Sequence, residues 1–370
     1  MASLRLAYFV SSHGFGHAAR AAAVMEGIKT FHPESHFHIF THVPPWFFAD
    51  TLGDGFTYHA YPVDTGIVQR TPWEEDLSAT LALLSQRLPF PPDEVKLLSE
   101  QVCELGCQAV LCDIAPLGIA VAEKAGLPSF LIENFTWEWI LEGYLDQEPQ
   151  FAPFIEHFRV WFSRASYHLQ TIPVCELRPC HLRTPPVSRR PKHSRAEIRA
   201  HLNIPANAPT VLITMGGIEH RYNALTALKR YPEATFIIPG SADHPTRDEN
   251  LILLPHHSGF YHPDLLFASD AVIGKVGYST IAETYHAGIP FGYAIREHFR
   301  ESAPLAEFIR QNMPSVPIPT SEFLDGTWVK HLPALLALPR RDSRSISPNG
   351  ATQIASFILE QLGVSHVGAA

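Results

Sequence analysis

Short, almost wholly apolar runs alternate along this chain with longer stretches in which apolar residues recur at helical spacing. Leu4–Val10 is apolar and β-rich, a glycine-punctuated turn follows, and Ala18–Ile28 is alanine-rich with a helical repeat. That order reads as strand, glycine loop, helix. The pattern returns at His36–Thr41, a strand, at Ala109–Cys112, a buried strand ahead of the helical Leu117–Ala125, and at Ser129–Ile132, a further strand. Strands alternating with helices in this way predict a parallel sheet covered on both faces.

From His181 to Arg195 the text changes to HLRTPPVSRRPKHSR, proline-rich and basic with no sustained period, and a domain boundary is placed there. Alternation restarts with strands at Thr210–Thr214, ending in Gly216-Gly217, at Thr235–Ile238, at Leu251–Leu254 and at Ala271–Ile273, which runs into GKVGYSTIAE. The expected architecture is α/β, with two Rossmann-like parallel-sheet domains facing across a cleft. Residues 1–182 form the first, residues 183–345 the second, and 346–370 a C-terminal helix packed back on the first domain. Ligands of open parallel sheets bind beyond the carboxyl ends of the strands, so the glycine loops there are where chemistry is sought.

A length of 370 residues suits two domains, and 46% hydrophobic with 18% charged residues is a globular composition. The formal charge of −9 disfavours nucleic acid as a partner. Cys103, Cys107, Cys112, Cys175 and Cys180 are spaced for neither a disulfide framework nor a paired C-x-x-C zinc site. They fit a reducing compartment, and a cytoplasmic location is expected. The apolar run Leu6–Val10 is too short for the core of a signal peptide, and no run of about 20 apolar residues occurs, so no transmembrane segment is expected.

Three elements carry candidate chemistry. Ser11-Ser12-His13-Gly14-Phe15-Gly16-His17 lies on the turn between the first strand and helix. Its glycines allow close backbone approach. It lacks the third glycine of G-x-G-x-x-G, and no acidic residue ends the next strand, which argues against a nicotinamide or flavin site. The loop offers two imidazoles, His13 and His17, as bases near neutrality, although His17 also fits a packing or capping role at its helix start. Asp113 ends the buried strand Val110-Leu111-Cys112. A parallel sheet brings its carboxylate to the edge that carries the first loop, where it can orient His17; it also suits capping of the following helix.

The third element is Gly274-Lys275-Val276-Gly277-Tyr278-Ser279-Thr280-Ile281-Ala282-Glu283. A strand delivers the chain to a glycine turn, and a helix begins near Ser279–Thr280 with its free amides facing the loop, an arrangement that stabilises a diphosphate. Lys275 adds a cation, the hydroxyls of Ser279 and Thr280 add donors, and Glu283 can accept ribose hydroxyls. Thr280-x-x-Glu283 is also the pattern of a capping box, which needs no ligand.

Together these elements resemble the B-type (GT-B) glycosyltransferases. The Gly14–His17 loop is similar to that of plant small-molecule glucosyltransferases, whose histidine is the catalytic base and pairs with an aspartate at a strand end, which matches Asp113. Gly277–Glu283 is similar to their donor motif, with Lys275 where they carry a phosphate-binding histidine, and to the donor motif of the peptidoglycan-precursor N-acetylglucosaminyltransferase. A nearer likeness is to the glycosyltransferase-like N-terminal domain of plant L-arabinokinases and its stand-alone bacterial relatives. It is carried by Ser11–Arg20, Asp64–Gln69, Glu133–Ile140, Gly274–Glu283, Arg296–Leu305 and Asn349–Leu359. The sequence ends at Ala370, so no kinase domain is expected after it.

The resemblance implies an inverting, metal-independent transfer of a sugar from a nucleotide-diphosphate sugar, UDP-linked by superfamily expectation, to an unidentified hydroxyl acceptor, with no cofactor. It places His17, Asp113 and the reserve base His13 at the chemistry. Gly216, Gly217, Gly274, Lys275, Gly277, Tyr278, Ser279, Thr280, Glu283, Arg296 and Glu301 fall on the donor side, and Gly14, Phe15, Gly16, Asp64, Asn134 and Trp137 on the acceptor side. The glucosyltransferases' aspartate-glutamine pair is replaced here by His298-Phe299-Arg300-Glu301, which leaves the sugar open; Arg296 and Glu301 suit sugar or phosphate contacts, or a surface ion pair. Trp137 and Trp139 suit either stacking on an acceptor or the core. His32, His36, His38 and His42 invite a metal reading, with His36 and His38 on one strand face, but no cysteine is close in sequence and no metal site is expected. An epimerase or hydrolase on the same fold, or a catalytically silent nucleotide-sugar sensor, stay open as alternatives.

Overall fold

The alternation of apolar runs and helices becomes two separate sheets in the computed structural model, which describes residues 4–216, 222, 224–342 and 345–364. The chain divides into two units, Met1–Ser188 with Phe299–Glu301 and Asn349–Ala370, and Arg189–His298 with Ser302–Pro348. The first unit holds β1 (Arg5–Val10), β2 (His36–Thr41), β3 (Phe56–Ala60), a ribbon of β4 (Gln69–Thr71) and β5 (Glu74–Glu75), then β6 (Ala109–Asp113), β7 (Ser129–Glu133), β8 (Tyr167–Thr171) and β9 (Leu182–Thr184). Its main sheet runs β3-β2-β1-β6-β7-β8-β9, parallel throughout. β1 and β6 are sealed on both faces, which is why their sequences show no alternation.

The second unit holds β10 (Thr210–Thr214), β11 (Thr235–Pro239), β12 (Thr246–Asp248), β13 (Leu251–Leu254), β14 (Ala271–Lys275), β15 (Phe291–Ala294) and β16 (Ser315–Pro317). The order is β12-β13-β11-β10-β14-β15-β16, and β12 alone runs antiparallel, at an edge. In each sheet the order reverses beside the first strand, between β1 and β6 and between β10 and β14. Such reversals open a crevice at the carboxyl ends of the two strands, where ligands of open α/β sheets bind.

The chain leaves the first unit after Ser188 and not after residue 182. The reason is β9, which extends the first sheet beside β8, so the proline-rich stretch begins inside that unit. The helix Gly350–Gln361 also belongs to the first unit and lies against the helix Phe15–Phe31, where a Cβ on Gly27 would stand 2.9 Å from the Ala351 carbonyl oxygen. Asn349 starts that helix by accepting from the Ala351 N–H at 3.0 Å and donates to the Ser188 carbonyl at 2.6 Å. Among the described residues no helix is long and apolar enough to cross a membrane.

β2 and β3 bring three histidines together. His38 Nδ1 lies 3.3 Å from His59 Nε2, and the His36 and His38 ring centroids are 5.0 Å apart. Burial, with His36, His59 and Arg5 adding to it, pushes the His38 imidazole down to about 4. Burial also lowers His59, and burial with Arg5 and Lys29 lowers His36. An unfolded histidine takes up its proton near pH 6.5, so the unfolded chain binds more protons below that value. Stability is therefore expected to fall as pH drops from about 6.5 toward about 4 and to be insensitive to these groups above 6.5. Melting curves across that range check this, with a shallower slope expected for His38→Gln.

Candidate functional site

In the first unit the site grows from the end of β1. Gly14 precedes the helix Phe15–Phe31 with φ 74°, a conformation that favours glycine, and a Cβ there would meet nothing within 4 Å. His17 is the third residue of that helix and buried, and its Nδ1 lies 2.8 Å from Asp113 Oδ1. Val10 and Asp113 are register partners at the ends of β1 and β6, which is how residues so distant in sequence meet. After Asp113 the chain turns through Ile114 at φ 44°, where a β-branched residue is strained by about 1–3 kcal/mol.

Asp113 is fully buried. Burial works to raise its carboxyl, but the Arg20 guanidinium and the His17 hydrogen bond outweigh it and hold the group below its ordinary value. An ionised carboxylate only accepts, so His17 Nδ1 is the donor of this hydrogen bond, and in the neutral imidazole Nε2 is then the nitrogen with the lone pair that a general base requires. Arg20 donates from Nε to Asp113 Oδ2 at 2.8 Å, from Nη2 to Oδ1 at 2.6 Å, and from Nη1 to Asn134 Oδ1 at 2.6 Å. Asn134 Nδ2 donates onward to Glu301 Oε1 at 2.9 Å.

Aromatic rings surround this base. The His17 ring lies edge-on to Phe135 at 5.7 Å and tilted to Trp137 at 6.3 Å, while His13 meets Trp137 edge-on at 5.3 Å and Phe299 at 6.1 Å. Phe15 packs on Trp46 and Phe47. Trp137 donates from Nε1 to Asp64 Oδ2 at 2.9 Å. The protein packed around Asp64 pushes its carboxyl up, against the hydrogen bonds from Ser11 and Trp137.

In the second unit the site grows from β14. Gly274 stands opposite Thr214 of β10, where a Cβ would lie 2.5 Å from the Thr214 carbonyl oxygen, so only glycine fits between the strands. Gly277 caps the helix Tyr278–Ala287 in extended backbone, and a Cβ there would meet nothing within 4 Å. Neither strain nor neighbours demand glycine at that position, and the space beside the helix N-terminus is open. Lys275 ends β14 and Ser279 is partly exposed, whereas Tyr278 and Thr280 are buried.

Glu283 is the buried hub of this unit. Arg189 Nε donates to its Oε1 at 2.9 Å, and His262 Nδ1 lies 3.3 Å from its Oε2. Burial tends to raise the carboxyl, but Arg189 and His262 overcome that and leave it below its ordinary value. His262 Nε2 in turn lies 3.4 Å from the Thr214 hydroxyl, and that hydroxyl accepts from the Gly216 N–H at 3.5 Å. Gly216 has φ 73° and open space where its Cβ would stand, as Gly14 has.

No protein-family model matches the chain. In sequence it is similar to the L-arabinokinase of Arabidopsis thaliana, 26% identical over 376 residues, which cover 98% of this chain and 35% of that protein. The chain thus spans about a third of that relative's length. In structure it is similar to the calicheamicin glycosyltransferase CalG4, with TM-score 0.63, 15% identity, and 98% of this chain and 99% of that one covered. It is similar to the spinosyn forosaminyltransferase SpnP, with TM-score 0.64, 13% identity, and 98% and 100% covered. A UDP-glucosyltransferase from Polygonum tinctorium superposes with TM-score 0.63 and 12% identity, over 98% and 99% of the two chains. The chain has the GT-B fold.

Within the GT-B fold the expected residues take these places. His17, Asp113, Gly14, Phe15, Gly16, His13, Asp64, Asn134 and Trp137 all lie in the first unit. Gly216, Gly274, Lys275, Gly277, Tyr278, Ser279, Thr280, Glu283 and Arg296 lie in the second, Arg296 buried just past β15. Gly217 lies outside the described residues. Glu301, expected on the donor side, falls in the first unit, where Phe299–Glu301 packs and Asn134 donates to it. Phe299 lies edge-on to Phe135, and the Arg300 guanidinium sits 4.3 Å over the Trp139 ring.

Two local alternatives are not formed. Asp113 caps nothing, since the helix Pro116–Ala125 starts at Ala115 without a side-chain cap. The Thr280–Glu283 capping box is also absent, because the helix starts earlier, at Tyr278, and puts both residues inside it. Trp137 and Trp139 are buried core residues. Sequence reasoning missed Arg20, Arg189 and His262. Arg20 stands three residues after His17, a spacing that places both on one helix face, and that signal was legible.

Proposed function

We propose that the chain is an inverting glycosyltransferase that moves a sugar from a nucleotide-diphosphate sugar, UDP-linked, to a hydroxyl acceptor in the cytoplasm, without metal or cofactor. The observation that carries this reading is the buried His17–Asp113 pair at the β1/β6 reversal, in a chain with the GT-B fold. In this reading His17 Nε2 takes the acceptor hydroxyl's proton, and Asp113 stabilises the imidazolium that forms. The acceptor oxygen attacks the anomeric carbon, and the bond from that carbon to the diphosphate breaks. The helix beginning at Tyr278, with Lys275, stabilises the departing diphosphate. The UDP-glucosyltransferase among the similar structures supports a uridine donor.

The test is a thermal-shift panel of nucleotide-sugars, followed by product analysis with acceptor extracts. A donor at about 100 times its Kd stabilises the native state by about 2.7 kcal/mol, which raises Tm by several degrees. Gly277→Val is expected to fold normally, since its side chain enters open space, and to abolish the donor's shift by filling that space. Lys275→Ala is expected to weaken the donor about tenfold. If no nucleotide-sugar moves Tm, or Gly277→Val binds donors as well as the natural chain, the donor assignment is overturned. Binding with neither transfer nor hydrolysis would make the protein a nucleotide-sugar sensor.

A further inference from the structure

Arg20 is a buried arginine whose guanidinium is spread over three elements. It grips both oxygens of Asp113 on β6, reaches Asn134 after β7, and lies 3.4 Å from the Thr171 hydroxyl at the end of β8. Its Nη2 also stands 3.3 Å from His17 Nδ1. With Asp113 ionised, Nδ1 already bears a proton, so this contact joins two donors and is repulsive once the imidazole is charged. A buried arginine is retained only where its charge is matched, and here Asp113 matches it. A base formed by histidine and a lone buried aspartate would hold its proton tightly, because the carboxylate attracts the imidazolium without competition.

We infer that Arg20 is the positioning residue of the His17–Asp113 pair: its fork fixes the carboxylate's direction and offsets the negative charge that the imidazole faces. Asn134 is the strut that holds the guanidinium, and Glu301 orients Asn134. Among the described residues, other ionisable groups around the pair include Asp64, whose carboxyl is raised by burial, Tyr8 on β1, whose phenol is pushed up by burial and Asp113, and Cys112 on β6, whose thiol is pushed up by burial and Asp113. None of these supplies the positive charge that Arg20 does. Lysine would supply charge without the planar two-point grip.

This inference rests on the reading of His17 as the base, and the experiment separates the two. The His17 imidazole of the full chain is followed by ¹⁵N NMR against pH, in the natural protein and in Arg20→Met and Arg20→Lys. In Arg20→Met the pair is expected to hold its proton at least about tenfold more tightly, so the titration moves about one pH unit upward, and the acidic limb of any kcat/KM profile moves with it. Arg20→Lys is expected to titrate near the natural protein while kcat falls, because charge is kept and orientation lost. Should Arg20→Met fail to fold, Asn134→Ala loosens the same guanidinium and is expected to shift the titration in the same direction by a smaller step. A titration that stays put or moves downward in the folded variant overturns the role of Arg20. Absence of transfer in the natural protein, with the expected NMR shifts present, overturns the transferase reading and leaves the role of Arg20 standing.

Discussion

His17→Ala is expected to lower sugar transfer by about 10²- to 10⁴-fold while leaving the thermal shift produced by a donor intact. The range is the usual contribution of one positioned general base. The substitution removes Nε2 and leaves Asp113 still paired with Arg20, so no buried charge is stranded and the fold should hold. Steady-state kinetics beside a donor titration make the separation: kcat falls and donor affinity does not. His13→Ala is the control, because His13 stands in the same loop but its ring packs between Trp137 and Phe299. If His13→Ala removes activity and His17→Ala does not, the assignment of the base is reversed.

Arg189→Met is expected to destabilise the second unit by about 3–5 kcal/mol, the usual result of removing one partner from a buried ion pair. Both side chains are almost wholly buried, at 6% and 3% exposure, so solvent screens little of the effect. At about 2–4 °C per kcal/mol for a unit of this size, Tm falls by about 10 °C. The pH dependence gives the cause. In the natural protein Glu283 sits below its ordinary value of 4.5, so its contribution is present above that pH and is lost as pH falls through the depressed value. Without Arg189, burial dominates and the carboxyl rises, so the gap between variant and natural protein should narrow on acidification. Melting curves between pH 7 and pH 4 decide it, and a gap that widens would show that Arg189 acts through packing alone.

Much of the frame was legible along the chain. The runs at Leu4–Val10, Ala109–Cys112, Thr210–Thr214 and Ala271–Ile273 became β1, β6, β10 and β14, the central pairs of the two sheets. Asp113 ends β6 as expected, and Lys275 extends β14 two residues past the apolar run, whereas the short or more polar strands β3, β8, β9, β12, β15 and β16 were not read from the pattern. Patterns with two local meanings were less decidable. Thr280-x-x-Glu283 spells a capping box, yet the backbone starts the helix at Tyr278, and Glu283 turns to Arg189 from the stretch read as a linker.

The sequence by itself determined which segments are sealed strands, where the glycine loops fall, that Asp113 stands at a strand end and that His17 closes the glycine loop after the first strand. Those features follow from the period of the backbone and from burial, which neighbouring residues express together. Only the tertiary structure decided the partners: Arg20 with Asp113 across 93 positions, His17 with Asp113 across 96, Arg189 with Glu283 across 94. Charge pairing in a buried site depends on which strands lie side by side, and strand order is set by the packing of the whole sheet, which no local pattern contains.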